Sequence, residues 1–237
     1  MIDVKHVIKQ FGSSLVLNDI NLTCDKGECI ALIGPNGCGK TTLIKSILGI
    51  VIPTKGEIYF KQKSIKNDFA YRSAIGYMPQ IGRYPDNMTI EQVIEMIKKI
   101  RNTDTILDNE LIESFHLDKL FKKPMRTLSG GTMQKVSATI AFLFNPEVLI
   151  LDEPTAGLDP LSAEILKSKI IKEKEKGKLI LITSHILSEL DDMISQLIFM
   201  QEGNIVFHKT LDQLKFDSGE EKISKAIARI LKLQQHE

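Results

Sequence analysis

The chain has 237 residues, 43% of them hydrophobic and 26% charged, which is enough apolar material to bury a real core in one or two folding units. Lys and Arg number 31 against 30 Asp and Glu, and that balance argues against binding through a broad basic surface, so no nucleic-acid partner is expected. Three cysteines, Cys24, Cys29 and Cys38, are too sparse and odd for a disulfide framework. No apolar run approaches the ~20 residues that span a bilayer, and the first residues lack the layout of a signal peptide. These features lead to the expectation of a soluble protein of a reducing compartment.

In chain order, residues 2–7, 15–22 and 56–60 read as short strands punctuated by Gly and Asp. The apolar run 29–33 enters a glycine loop and then a helical stretch from Lys40 to Leu48, stopped by Gly49. Strand, glycine loop and helix begin a parallel α/β unit. Residues 75–78 form another strand candidate before Pro79. The period then changes: Thr89-Ile-Glu-Gln92 fits a capping box, and Ile90, Val93, Ile94, Ile97 and Ile100 follow at helical spacing. Residues 107–117 and 131–144 read as further helices, so residues 84–145 are expected to be a helical insertion between the core segments 1–83 and 146–218. A buried strand at 148–151, a helix at 162–175, a strand at 179–183 and a helix from about Ile186 complete the alternation. Strands 196–200 and 205–208 are expected to form a hairpin turning at Glu202-Gly-Asn204. Residues 219–233 then place Ile223, Ala226, Ile227, Ile230 and Leu231 on one face of a terminal helix, expected to pack on its own domain.

Gly34-Pro35-Asn36-Gly37-Cys38-Gly39-Lys40-Thr41 matches G-x-x-x-x-G-K-[ST] without a gap, after a strand and before a helix. Glycines let backbone N–H groups turn around phosphate oxygens, and the helix N-terminus behind them favours negative charge. Lys40 suits the β- and γ-phosphates, and the Thr41 hydroxyl suits Mg²⁺. Val148-Leu-Ile-Leu151-Asp152-Glu153 is an apolar strand that ends in two carboxylates. Successive side chains on a strand point opposite ways, so Asp152 is assigned to Mg²⁺ and Glu153 to polarising the attacking water.

Leu128-Ser129-Gly130-Gly131-Thr132 lies 89 residues after Lys40 and 23 before Asp152. Alone it reads as a loop and helix cap. At this spacing the chain resembles the nucleotide-binding subunits of ABC transporters, over nearly its whole length. Phe11 resembles the aromatic that stacks on adenine, Gly34 to Thr42 the Walker A stretch, and Gln80 the Q-loop glutamine that approaches Mg²⁺ and the water. Leu128 to Thr132 resembles the family signature, Leu149 to Glu153 Walker B, Gly157-Leu-Asp159 the D-loop, and His185 the switch histidine. The signature departs from the family at its last position, where Thr132 replaces the usual Gln and Gln134 follows two residues later.

The resemblance implies an α/β phosphate-loop (RecA-like) core with an N-terminal antiparallel β subdomain and an inserted α-helical subdomain. It implies ATP and Mg²⁺ as ligands, and a head-to-tail homodimer or heterodimer with ATP between one Walker A loop and the other subunit's Ser129 to Gly131. It also implies a transmembrane permease on a separate chain, with this chain on the cytoplasmic face of the membrane and residues 81–88 as the lip of the coupling groove. Residues 128–160 look like exporter-type ABC-2 subunits and faintly like the Nos-type ATPases of copper-site maturation. A transmitter that pulls on an external machine without transporting substrate is the alternative; a small-molecule kinase is disfavoured by the signature, D-loop and switch histidine. Cys38 reads as a tolerated filler, with thiol oxidation that blocks ATP as the alternative. Cys24 and Cys29 read as core-strand residues, the Lys-rich run 167–178 as a solvated helix face, and His6, His116, His208 and His236 share no ligand spacing.

Overall fold

The computed structural model describes all residues except 102–105, 188, 189, 191 and 235–237, and the side chains of 233 and 234. The chain forms two compact units, residues 1–69 with 179–237, and residues 70–178.

The first unit opens with strands β1 (Ile2–Phe11) and β2 (Ser14–Cys24), then β3 (Cys29–Ile33), helix α1 (Lys40–Ile47), β4 (Lys55–Phe60) and the short β5 (Lys63–Ser64). Strands β2, β1, β4 and β5 make an antiparallel sheet in that order. Alternation along β1 and β2 puts Ile2, Val4, Val7, Leu17, Ile20 and Leu22 into the core, the pattern of a sheet with one face buried. Strand β3 is buried at all five positions, and α1 lays Leu43, Ile44 and Ile47 into the core.

In chain order the second unit contributes β6 (Ile75–Met78), α2 (Ile90–Arg101), α3 (Glu110–Ser114), α4 (Gly130–Phe142), β7 (Val148–Asp152) and α5 (Pro160–Glu175). Parallel pairing of β6 with β7 sets Met78 beside Leu151. The expected capping box is formed: Thr89 N–H donates to Gln92 Oε1 at 2.9 Å and Gln92 N–H to Thr89 Oγ1 at 3.2 Å.

After the second unit the chain returns to the first as β8 (Leu179–Thr183), β9 (Gln196–Gln201), β10 (Asn204–Thr210), α6 (Leu211–Ser218) and α7 (Ile223–Gln234). Strands β8, β3 and β9 lie side by side and parallel, and β10 folds back antiparallel on β9. The β9–β10 hairpin turns through Glu202 and Gly203, both at positive φ, as expected.

Three expectations need correction. The helix expected over 107–117 is shorter: His116 takes a left-handed conformation (φ 52) and the chain continues as a 3₁₀ turn over Leu117–Leu120. The terminal helix starts at Ile223, because Gly219 is instead the left-handed C-cap of α6, a helix missed although Thr210 and Gln213 form a capping box. Ile223, Ala226, Ile227 and Ile230 are buried, so this helix does pack on its own chain. The Lys-rich run is solvated only in part: Lys172, Glu175 and Lys176 are exposed, but Lys169 and Glu173 are 2% and 0% exposed. The Lys169 ammonium contacts Asp108 at 2.5 Å, Glu110 at 2.7 Å and Glu173 at 2.9 Å, while Glu173 also pairs with Lys176 and Lys178. The helix expected from about Ile186 falls partly outside the described residues.

Candidate nucleotide-binding and hydrolysis site

Strand β3 runs out at Ile33 and the chain turns through Gly34, Gly37 and Gly39 into α1. A Cβ at Gly34 would lie 2.1 Å from the Met200 carbonyl oxygen and 2.8 Å from Cys38 Sγ, so only glycine allows this closeness to β9. The loop is pinned further where Gly203 N–H donates to the Cys38 carbonyl at 3.1 Å. Gly39 is the N-cap of α1 and brings no side-chain cap, so no cap side chain takes up the first amides of that helix, which have no partner within it. Lys40 is only 9% exposed. Its ammonium donates to the carbonyls of Gly34 at 2.7 Å and Pro35 at 3.0 Å, with Cys38 Sγ 3.9 Å away. A buried cation beside glycine amides at a helix N-terminus fits a polyphosphate. All three cysteines are buried and free, Cys24 and Cys29 on core strands as expected; burial, followed by the charge of Glu28, pushes the Cys24 thiol up to about 12.

His185 follows β8 at the same carboxyl end of the sheet from which the glycine loop follows β3, because the parallel register sets Thr183 beside Leu32. It is exposed, and Ser184 Oγ accepts from the Ile186 N–H at 3.0 Å just beyond it. Phe11 ends β1 opposite Ser14 and is 49% exposed, which removes it from the core. Lys9 Nζ lies 4.6 Å from its ring centroid.

In the second unit, Gln80 follows β6 and is exposed, while Asp152 closes β7 and Glu153 follows it. Asp152 is 6% exposed. Burial, and then the charge of Asp152, push the Tyr77 phenol on β6 up to about 12. Glu153 sits in the left-handed region at φ 53. Ser129 is the N-cap of α4, and its Oγ accepts from the Thr132 N–H at 3.3 Å. Thr132 Oγ1 lies 2.9 Å from Ser129 Oγ, so the substituted residue reinforces the cap. Ser129 and Gly130 are exposed.

Asp159 caps α5, its carboxylate accepting from Ser162 N–H at 2.9 Å and Lys135 Nζ at 2.9 Å. The Lys135 hydrogen bond, then those from Ser162, hold that carboxyl far below its ordinary value. Sequence reasoning missed Lys135 and gave Gln134 no role. Gln134 is 6% exposed and its Nε2 donates to the Glu153 carbonyl at 3.2 Å. The available signal was a glutamine at an inward position of a helix whose neighbours Val136 and Ala138 are core residues.

Among the described residues no group of three or more His, Cys, Asp and Glu could hold a metal ion. Mg²⁺ needs no such cage, because one or two protein oxygens complete a shell of phosphate and water.

Strand, glycine loop and helix, together with a buried strand that ends in two acids, define a phosphate-loop nucleotide hydrolase. The family model for ABC transporters matches residues 17–156, and the chain belongs to that family. It is an ATP hydrolase that binds ATP with Mg²⁺. Among relatives, it is 32% identical over 213 residues to the lantibiotic transport ATP-binding protein SrtF of Streptococcus pyogenes, covering 90% of this chain and 92% of that one. It is 31% identical over 207 residues to the Nod factor export ATP-binding protein I of Burkholderia lata, covering 85% and 68%. A solved ATP-binding subunit of an ABC transporter superposes with a TM-score of 0.88 at 28% identity, covering 96% of this chain and 98% of that one.

The Lys40 contacts make a direct prediction. Lys40→Ala removes a charge-assisted donor of about 1.5–3 kcal/mol, so ATP affinity is expected to fall roughly 10- to 100-fold, read by titration with a fluorescent ATP analogue.

Proposed function

We propose that this chain is the motor subunit of an ABC exporter, acting from the cytoplasmic face of the membrane through a permease on a separate chain. Two cassettes, identical or different, close head to tail around ATP. The observation that carries this reading is the signature at the start of α4: Ser129 and Gly130 stand exposed at the N-terminus of a 13-residue helix, where oriented donors meet a phosphate. Likeness to the lantibiotic-transport and Nod-factor-export chains supports export. No helix among the described residues is long and apolar enough to cross a membrane, which fits a permease carried elsewhere.

Each residue then has a defined task. The amides of the Gly34 to Thr42 stretch and the Lys40 ammonium hold phosphate, and Phe11 offers its exposed ring to the adenine. Thr41 and Asp152 provide oxygens to Mg²⁺, which supplies charge neutralisation on the phosphates. Glu153 takes a proton from the attacking water, while Gln80 and His185 orient water and γ-phosphate. Asp159 acts from the D-loop, fixed by its capping of α5. Ile81, 70% exposed, belongs to the lip that meets the permease.

The test uses a hydrolysis-deficient chain. Tagged Glu153→Gln protein, expressed in its native host, is purified from membranes and its companions identified by mass spectrometry. A polytopic partner with little external domain is the expected result. A partner with few helices and a large external domain would point to mechanical transmission instead, and recovery without any membrane protein would overturn the motor-subunit reading.

A further inference from the structure

We propose that Gln134 is a positioning residue for the hydrolytic carboxylate, holding the left-handed backbone of Glu153 from which that side chain is aimed. The inference rests on Glu153 being the base. A glutamate at φ 53 is in a region that side chains with a Cβ avoid, and such a conformation persists only where its surroundings over-determine it. Two donors converge on the one carbonyl of this residue: Ala156 N–H at 3.2 Å from the following turn and Gln134 Nε2 at 3.2 Å from α4. A carbonyl oxygen has two lone pairs, so both bonds are made together and the Glu153–Pro154 peptide cannot rotate without breaking them. The partner is a carbonyl, so it is the amide nitrogen of Gln134 that must face it.

The anchor is not isolated. A Cβ on Gly131 would lie 2.8 Å from the Gly157 carbonyl oxygen, and Lys135 pairs with Asp159 at 2.9 Å. The first two turns of α4 are therefore bonded to the segment from Glu153 to Asp159 at two points and approach it closely at a third, and Gln134 is the one that reaches the base itself. Gln134 is buried and lies outside the Gly34 to Thr42 stretch, so its loss should change how the carboxylate is aimed and leave Lys40 and the glycine loop of its own chain unaltered.

Purified full-length wild type, Gln134→Leu, Gln134→Glu and Glu153→Gln are compared for ATP turnover from pH 5.5 to 8, for KM, for affinity toward a fluorescent ATP analogue, and for melting temperature. Leucine fills the space and cannot donate; kcat is expected to fall about tenfold or more while KM and nucleotide affinity stay within twofold. Glutamate donates only when protonated, and burial raises its pKa. Activity of Gln134→Glu relative to wild type is therefore expected to rise severalfold as pH falls, a response that mere packing would not give. Turnover of folded Gln134→Leu within twofold of wild type, or a flat pH ratio for Gln134→Glu, overturns the proposal. If the leucine variant fails to fold, the pH ratio decides alone. Wild-type turnover in Glu153→Gln would remove the base assignment instead, so the two failures are distinguishable.

Discussion

Glu153→Gln is expected to lower ATP turnover by about 10²–10⁴-fold, the range a positioned general base contributes, while ATP binding remains. The substitution keeps size and shape and removes only the proton acceptor. Gly34, Pro35 and Lys40, which bond to one another in the glycine loop, are untouched. The backbone of Glu153 is also held through its carbonyl, which glutamine retains, so the variant should fold with the same left-handed turn. Bound ATP that is not consumed should trap the closed pair of cassettes. Phosphate release measures the first effect, and ATP-dependent dimer in size-exclusion chromatography the second. Turnover at the wild-type rate would move the base to another residue.

Lys169→Met is expected to produce the largest loss of stability. The ammonium sits among Asp108, Glu110 and Glu173 with its own side chain 1% exposed. Methionine leaves these carboxylates facing one another with their shared cation gone. Breaking a buried ionic group on one side costs about 3–5 kcal/mol, which for a chain of this size corresponds to a fall of about 6–20 °C in melting temperature. The pH dependence has a defined sign. Burial alone would raise the Glu173 carboxyl, but hydrogen bonds from Lys176, Lys178 and Lys169 outweigh it and hold the group at about 2, against 4.5 ordinarily. A depressed carboxylate contributes stability above its unfolded value and loses it as pH falls toward the folded one. The gap between wild type and Lys169→Met should therefore be full at pH 7 and narrow from about pH 4.5 downward. Thermal melts across that range check it; a gap that widens in acid would contradict the assignment.

How much of this was legible before folding depends on how far apart the interacting residues lie. The Thr89–Gln92 capping box was readable because both bonds close within one turn. The Thr210–Gln213 box carried the same signal, but it was passed over because only Leu214 and Ser218 of α6 are buried, too few for a clear apolar stripe. The break at His116 was not readable, since histidine, although enriched in the left-handed region, adopts it in only a small minority of cases. The glycine-loop motif was legible because its glycines, lysine and hydroxyl fall at fixed positions within eight consecutive residues, Gly34 to Thr41.

The sequence by itself determined the class of reaction, the glycine-loop motif between β3 and α1 and the alternation of strands and helices, all of which rest on short-range spacing and backbone geometry. Tertiary structure alone decided that Lys169 is a buried cation and not part of a solvated face, because its carboxylate partner Asp108 lies 61 residues away. It alone decided that Glu153 stands on a left-handed turn held by Gln134, 19 residues upstream. A charge or an amide reads as polar in any sequence; whether water or another buried group satisfies it is settled only when the packed chain excludes the water.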